Sequence, residues 1–169
     1  FPMSSRREKD FYTFDLISDV LSNGKSSRMY NSLVLEKQVF TAIDAVVSAD
    51  DDKGLFIVLG KYADKVDIKE GETLIWQELE NLIKTPPTER EFQKVKNKNL
   101  STSTFSNLRI LDKAMNLAYY EHLGILDNIN NDKENYKQVT IQNLVDLSKK
   151  TFFENKHNTL YYLIKDLEK

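Results

Sequence analysis

The sequence predicts an α+β fold, a two-layer α/β sandwich in which helices cover one face of a largely antiparallel sheet. Two apolar runs rich in β-branched residues, 39–47 and 55–62, are separated by the turn-forming cluster 48–54, which is the pattern of a hairpin. A third apolar run, residues 158–165, is predicted as a closing strand. Because helix-period segments are grouped together and do not alternate with single strands, an antiparallel sheet is favoured over parallel units.

Two amphipathic helices are predicted ahead of the hairpin. Asp10 is expected to cap the first, and Asn23-Gly24 supplies the left-handed residue that ends such a helix. Ser26 or Ser27 is then the expected cap of the second. Apolar side chains recur at spacings of three and four along both helices: Phe11, Phe14, Ile17 and Leu21 in the first, and Met29, Tyr30, Leu33 and Val34 in the second.

A further helix is predicted over residues 67–84. The pair Pro86-Pro87 stops it, because neither proline can extend a helix. Thr88 and Glu91 then have the spacing of a capping box, which predicts that the next helix begins there.

The remaining helical pattern is less regular. Residues 100–107, rich in serine and threonine, are either a continuation of the preceding helix or a break. The apolar pattern returns at Leu108 and is expected to stop at Gly124. Residues 125–134 are predicted as a polar loop, and Thr140 as the cap of a last helix.

Length and composition limit the class of protein. With 169 residues, the chain is expected to be a single domain, residues 1–169, excised from a longer chain, since it begins with Phe1 and not with methionine. The 24 basic and 26 acidic residues are interspersed, which is not the footprint of a nucleic-acid-binding protein, and residues 94–98 are predicted as a solvated helix face. No apolar run has the length needed to span a membrane. The absence of cysteine excludes disulfides and a cysteine nucleophile.

Gly24-Lys25-Ser26 matches the end of a phosphate-binding P-loop. The first glycine of that motif would occupy position 19, where this chain has Asp19, and a carboxylate repels a triphosphate. The preceding residues also have a helical pattern, whereas a P-loop follows a strand. Nucleotide binding is therefore disfavoured.

An ordered set of residues is distributed along nearly the whole chain, from about Phe1 to about Lys165. It comprises Leu21, Gly24, Ser26, Ser27, Arg28, Met29, Tyr30, Leu33, Glu36, Lys37, Gly54, Leu55, Phe56, Trp76, Leu79, Glu91, Lys94, Val95, Lys96, Asn97, Ala118, Tyr119, Tyr120, Glu121, Gly124, Tyr136, Val139 and Thr140. This set resembles the second, C-terminal domain of the insulinase/pitrilysin-type zinc peptidases, which include the mitochondrial processing peptidases and many bacterial homologues. Gly24, Ser27, Arg28 and Tyr30 belong to the family signature and are interpreted as structural.

The resemblance implies that zinc is held by another domain. In the family, the first domain carries the inverted motif H-x-x-E-H and a downstream glutamate, which together bind Zn²⁺ and supply a general base. The only histidines here are His122 and His157, and a site formed with Glu121 would need unrelated elements to converge. We therefore expect no catalytic residue, metal ligand or cofactor in this domain, and zinc in the full-length enzyme.

A second implied feature is a substrate-binding arginine and tyrosine, whose side chains stabilise the oxyanion in the family. Alignment on residues 24–30 places this pair at Val34 and Thr41, so both donors are predicted to be lost. Arg28 and Tyr30 have the wrong spacing to replace them. Arg28 is interpreted as forming a structural ion pair with a carboxylate such as Asp19 or Asp44.

The resemblance thus implies a non-catalytic domain of a zinc endopeptidase, inactive alone, that forms part of the substrate chamber. Its expected partners are the zinc-bearing N-terminal domain of the same chain, a second peptidase half in a homo- or heterodimer, and a peptide substrate. The alternative is a stand-alone scaffold or peptide-binding module derived from the same fold. The sequence does not fix the compartment, for which the bacterial cytoplasm or periplasm is the expectation. The substrate, the partner half, the oligomeric state, and whether the full-length protein is active, stay open.

Overall fold

The computed structural model describes residues 1–49, 51–64, 66–106 and 108–163. Three strands and six α-helices are present in this part of the chain. They are β1 (Pro2–Met3), α1 (Asp10–Ser22), β2 (Phe40–Ser48), β3 (Gly54–Tyr62), α2 (Ile68–Lys84), α3 (Glu89–Ser106), α4 (Ile110–His122), α5 (Asp132–Gln138) and α6 (Ile141–Thr151). A π-helical segment, Tyr30–Glu36, precedes β2, and short 3-10 helices occupy Leu126–Asn130 and Glu154–Lys156.

The strands form one antiparallel sheet in the order β1-β3-β2. β2 and β3 make the predicted hairpin, with Ser48 opposite Leu55 at its turn and a register irregularity between Phe40 and Ala42 at its other end. This sheet, with helices packed on one face, confirms the predicted α+β class.

The two faces of the sheet differ in burial. Ile43, Ala45 and Phe56 are buried against the helices. On the opposite face, Val46, Leu55 and Leu59 are 39%, 51% and 55% exposed. We call the second group, together with the half-buried Ile57, the open sheet face. Its side chains alternate with the buried ones, as the two-residue period of a strand requires.

Local sequence explains several helix boundaries. The chain leaves α1 through Gly24, which has a φ of 92°, a conformation that glycine adopts at little cost. Thr140 caps α6 as predicted, in a reciprocal capping box with Asn143. Asp67 accepts a hydrogen bond from the Lys69 backbone and so begins α2.

Gly71 allows α2 to approach the sheet closely. The rings of Phe40 and Tyr62 stack with centroids 4.7 Å apart, and the Tyr62 hydroxyl donates to the Ile68 carbonyl. A Cβ atom on Gly71 would lie 2.1 Å from the Tyr62 ring. The absence of a side chain there is thus a packing requirement.

Three expectations for the second half of the chain need correction or completion. Residues 158–163 are not part of the sheet, so the predicted closing strand is wrong over that span, and residues 164 and 165 lie outside the described part of the chain. The predicted loop 125–134 instead contains a 3-10 turn and the start of α5. The open question at 100–107 is answered in favour of helix as far as Ser106, with Asn107 outside the described residues. None of the described helices has the length and apolar content of a membrane span.

Candidate functional site

The signature loop after α1 is held by its own backbone. The Ser27 amide and hydroxyl both donate to the Gly24 carbonyl, at 3.0 Å and 2.7 Å. The Ser27 carbonyl in turn accepts the Asn31 amide, so Ser27 links the loop to the helical turn that follows. Tyr30 lies half-buried at the start of the π-helical segment. The buried Ser27 and the left-handed Gly24 are therefore placed where the loop needs them.

Arg28 joins this loop to the start of α3. Its Nε and Nη2 atoms donate to the two carboxylate oxygens of Glu91, at 2.8 Å and 2.9 Å, and its Nη1 donates to the Thr85 carbonyl at 2.7 Å. The predicted ion pair is present, but neither Asp19 nor Asp44 is the partner. Glu91 is the partner. Its carboxylate turns towards Arg28, and its backbone amide accounts for the bond to the Thr88 hydroxyl that the capping box predicts.

The Arg28–Glu91 pair makes the free energy of unfolding depend on pH in a known direction. Hydrogen bonding from Arg28 holds the pKa of Glu91 below its ordinary 4.5, although burial acts in the opposite direction. A carboxyl group whose pKa is lowered on folding contributes stability above its unfolded pKa and loses it as the pH falls through the folded value. The contribution is therefore present at neutral pH and disappears below pH 4.5.

We expect Arg28→Met to lower the free energy of unfolding at pH 7 by about 1–3 kcal/mol, the range for hydrogen bonds to charged groups. The difference from the wild type should shrink as denaturant titrations are moved to below pH 4.5. In a Glu91→Gln background, which carries no titrating group there, the effect of Arg28→Met should not vary with pH. A difference that stays constant in the wild-type background would rule out this pair as its source.

The loop at Gly24-Lys25-Ser26 lacks the space for a nucleotide. The cavity beside it has a volume of about 30 Å³, the order of one water molecule. Lys94 bonds the Ser26 hydroxyl, and Lys98 donates to the Asn23 side chain at 2.5 Å, so these cations hold the loop against α3. Asp19 also lines the cavity. These contacts agree with the P-loop being disfavoured.

Val34 and Thr41, where the substrate-binding arginine and tyrosine were predicted to be lost, lie on separate elements. Val34 is in the π-helical segment and packs against the core. Thr41 is exposed on β2, and its hydroxyl donates to the Lys61 carbonyl at 3.1 Å. Neither side chain carries a charged donor, and the loss of the pair stays a prediction.

The two histidines have different surroundings. His122, at the end of α4, is 70% exposed and lies 3.1 Å from the Asp51 carboxylate at the hairpin turn. His157 packs against the rings of Trp76 and Phe1, with centroids 4.8 Å and 5.7 Å away. Within the described ranges, no group of three or more histidine and carboxylate side chains is placed to hold a metal ion. The donor set described here does not fit a peptidase zinc site.

A buried polar cluster, not anticipated from the sequence, lies at the other end of the helical layer. Arg6 is 8% exposed and donates to both oxygens of Asp132 at 3.0 Å and to the Tyr120 hydroxyl at 2.8 Å. The Tyr12 hydroxyl donates to Asp132 at 2.6 Å, and the Arg6 guanidinium lies 4.3 Å from the centre of the Phe11 ring. The Arg6 cluster therefore ties the N-terminal loop to α1, α4 and α5.

Burial and charge act in opposition on Arg6. Burial disfavours the charged guanidinium, but the Asp132 carboxylate together with the surrounding tyrosine side chains outweighs it, and the pKa of Arg6 is raised above its ordinary value. Burial also raises the pKa of Tyr120 and of Tyr12, which stay neutral donors and acceptors. The cluster thus contains one cation and one carboxylate, bridged by phenols.

A second buried carboxylate adjoins the cluster. Asp15 accepts hydrogen bonds from the Tyr136 hydroxyl at 2.7 Å and from the Asn99 amide at 3.1 Å. Burial raises the pKa of Asp15, although both hydrogen bonds oppose the rise. Asn99 therefore joins α3 to α1, and Tyr136 joins α5 to α1.

Lys96 occupies a position that sequence reasoning assigned to a solvated helix face. It is 8% exposed, and its Nζ atom donates to the carbonyls of Lys137 and Val139 at 2.6 Å and 2.8 Å. These carbonyls lie at the end of α5, where helical carbonyls lack partners. Arg28, which the sequence singles out, and Lys96, which it does not, therefore both join separate elements of the fold.

A comparison with family models gives one match. A sequence profile described as the peptidase M16 inactive domain matches residues 1–99. No match was found among curated proteins.

Solved structures give the fold independently. A protease from Helicobacter pylori superposes with a TM-score of 0.83 at 20% identity, covering 88% of this chain and 36% of that protein. The inactive peptidase domain of a proposed zinc protease from Bordetella parapertussis superposes with a TM-score of 0.77 at 14% identity, covering 87% and 81%. A chain of Complex III2 from Candida albicans gives 0.71 at 12% identity, covering 88% and 38%.

At these identities the structural similarity establishes the fold alone. The chain spans about a third of the Helicobacter pylori protein. The profile match extends over more than half of the 169 residues and includes the signature loop. The chain belongs to the peptidase M16 inactive domain family.

Proposed function

We propose that this chain is the non-catalytic domain of a zinc endopeptidase, and that it docks against a zinc-bearing domain and forms part of the substrate chamber. The zinc-bearing domain precedes this one in a longer polypeptide, and a second peptidase half closes the chamber around a peptide substrate. Family membership and the name of the Bordetella parapertussis relative support the class of enzyme. The domain itself supplies surfaces, and its described residues form no metal site.

The observation that carries the docking role is an apolar surface on and just before α4. Only Tyr120 is buried among the residues of this helix. A stable domain in water rarely leaves so many large apolar side chains uncovered unless another protein surface packs on them. The α4 surface comprises Leu108, Ile110, Leu111, Met115 and Leu117, which are 72%, 88%, 72%, 65% and 45% exposed.

The open sheet face supports the chamber role. Val46, Leu55 and Leu59 are apolar and exposed, and they lie on the side of the sheet away from the helices. The exposed Asp44, opposite Leu59, lies on the same face. Exposed apolar side chains spread over a sheet favour contact with many unfolded peptides over recognition of one sequence. This face therefore suits a chamber wall better than a specific binding site.

The test compares the isolated 169-residue chain with the longer polypeptide, each supplied with zinc and an unfolded protein such as casein. We expect cleavage by the longer polypeptide and none by the isolated chain. Leu111→Asp combined with Met115→Asp in the longer polypeptide should reduce cleavage by about tenfold or more, because burying carboxylates in an apolar interface costs several kcal/mol.

Lys149→Asp, at an exposed position on α6 and outside the α4 surface, is the control and should leave cleavage unchanged. Cleavage by the isolated chain would overturn the proposed function. Full cleavage by the double variant would show that the α4 surface is not the docking site.

A stand-alone scaffold or peptide-binding module is the second candidate. It is favoured by the similarity to a chain of Complex III2, whose name does not describe a protease. The reading frame ahead of Phe1 discriminates the two, because the enzyme requires H-x-x-E-H there and the scaffold does not.

A further inference from the structure

We propose that the free edge of β3 pairs with an extended segment that runs antiparallel to it and leads directly into Phe1. The inference rests on the proposed function, in which a zinc-bearing domain lies ahead of this one in the same polypeptide. It identifies where that polypeptide enters this domain and which backbone groups receive it.

The backbone groups of β3 point alternately to its two sides. Phe1 and Phe56 exchange two hydrogen bonds: the Phe1 nitrogen donates to the Phe56 carbonyl at 2.9 Å, and the Phe56 amide donates to the Phe1 carbonyl at 2.8 Å. In an antiparallel ladder, the residues that face one neighbour alternate with those that face the other. Val58 and Gly60 therefore present their backbone groups to the same side as Phe56, away from β2.

This side of β3 is paired over only part of its length. β1 is two residues long and pairs with Leu55 and Gly54. Along the rest of β3, no described residue bonds the backbone of Val58 or Gly60 on this side. An unpaired edge next to a paired one invites another strand.

Residues 157–163 follow a path along α2. His157 packs on Trp76, and Thr159 and Tyr161 both donate to the Glu72 carboxylate, at 2.8 Å and 2.5 Å. Glu72 lies one helical turn before Trp76, so this segment runs towards the start of α2. β3 runs the same way, from Phe56 beside Phe1 to Tyr62, whose hydroxyl reaches Ile68 at the start of α2.

The segment also has the alternation of a strand. Thr159 and Tyr161 face α2, whereas Leu160 and Tyr162 are 93% and 97% exposed. It is nevertheless outside the sheet and makes no described backbone bond to β3. A strand antiparallel to β3 would be antiparallel to this segment too, and would join the two into one sheet.

The occupant follows from continuity with β1. A strand that pairs with Val58 and Gly60 and continues the Phe1–Phe56 register must approach Phe1 from the Tyr62 end of β3. Its last residue then precedes Phe1 in the chain. The same strand explains why residues 158–163 have the sequence of a sheet strand without its pairing.

Hydrogen exchange followed by mass spectrometry tests the proposal on the longer polypeptide and on the isolated chain. In a fragment covering residues 57–61, we expect two more slowly exchanging amides in the longer polypeptide, those of Val58 and Gly60. Their exchange should slow by about a hundredfold or more, because sheet amides open only with larger unfolding units. Fragments covering residues 159–163 should slow as well.

The control is a fragment from β2, whose outer edge is already bonded by the Ser22 hydroxyl at Ala45 and should not change. An unchanged count in fragment 57–61, or a reading frame without a segment ahead of Phe1, would overturn the proposal. Zinc content and casein cleavage, measured on the same preparation, separate the two ideas. Slow exchange of these amides in a polypeptide that holds no zinc would reject the proposed function but not the added strand. Zinc-dependent cleavage without slow exchange would reject the added strand but not the proposed function.

Discussion

Replacing Arg6 with methionine should lower the free energy of unfolding by about 3–5 kcal/mol, the cost of breaking a buried pair by removing one partner. The Asp132 carboxylate would lose both hydrogen bonds from Arg6 and keep the one from Tyr12, and the Tyr120 hydroxyl would lose its buried donor. The guanidinium contact with the Phe11 ring would be lost too. Urea denaturation of the isolated chain measures the change.

Arg7→Met is the matched control, one residue along the chain. Arg7 pairs with Asp51 at 3.2 Å, but the two side chains are 46% and 49% exposed. Exposed pairs contribute about 0–1 kcal/mol, so this variant should unfold close to the wild type. Equal losses for Arg6→Met and Arg7→Met would show that burial of the Arg6 cluster does not determine its strength.

Salt should separate the same two variants. The Debye length at 0.15 M ionic strength is about 8 Å in water, and buried pairs are screened much less than exposed ones. Raising the salt concentration should therefore reduce any effect of Arg7→Met and leave that of Arg6→Met nearly constant.

The Arg6 cluster also illustrates what the sequence can and cannot predict. Periodicity placed α1, the hairpin and α2 within a few residues, because each has a strong local pattern. The cap at Thr140 was predicted from one residue type in front of an apolar run. Arg6 and Asp132, by contrast, are far apart in the chain, and no local pattern joins them.

The partner of Arg28 was mispredicted for the same reason. An ion pair was expected from the residue type, and nearby carboxylates were the natural candidates. Glu91 had been assigned to a capping box, a local use of its side chain, whereas the folded chain brings it to Arg28. A side chain that fits a local motif can instead bond a charged partner elsewhere in the fold, because charge-assisted bidentate hydrogen bonds are stronger.

The prediction of a closing strand was wrong for a different reason. Residues 158–163 have strand-like alternation, which the contacts of Tyr161 and the exposure of Leu160 reproduce. A strand also needs a neighbour, and none of the described residues provides one. Sequence pattern thus predicted the conformation of this segment more reliably than its pairing.

Replacing Lys96 with methionine should lower the free energy of unfolding by about 2 kcal/mol, through the loss of two charge-assisted hydrogen bonds. Lys96 donates to Lys137 and Val139 and so satisfies carbonyls at the end of α5. Methionine keeps a long apolar side chain beside the Phe92 ring, so the variant removes the donor with little loss of packing.

The expected loss is smaller than for Arg6 because the charge of Lys96 is itself costly to bury. Burial lowers the pKa of Lys96, which means that the folded protein holds the ammonium less favourably than water does. Methionine removes that cost together with the hydrogen bonds, whereas no carboxylate is left unpaired. The net effect should therefore lie well below that of Arg6→Met.

Lys98→Met is the control for a lysine on the same helix. Lys98 is exposed and bonds the exposed Asn23 side chain, so its replacement should change stability by less than about 0.5 kcal/mol. Hydrogen exchange gives a readout specific to the proposed cap. In Lys96→Met the amides of α5 should exchange faster while those of α2 are unchanged, because only α5 loses its terminal partner. Uniform acceleration across both helices would instead indicate general destabilisation, and would remove the argument that Lys96 acts by capping α5.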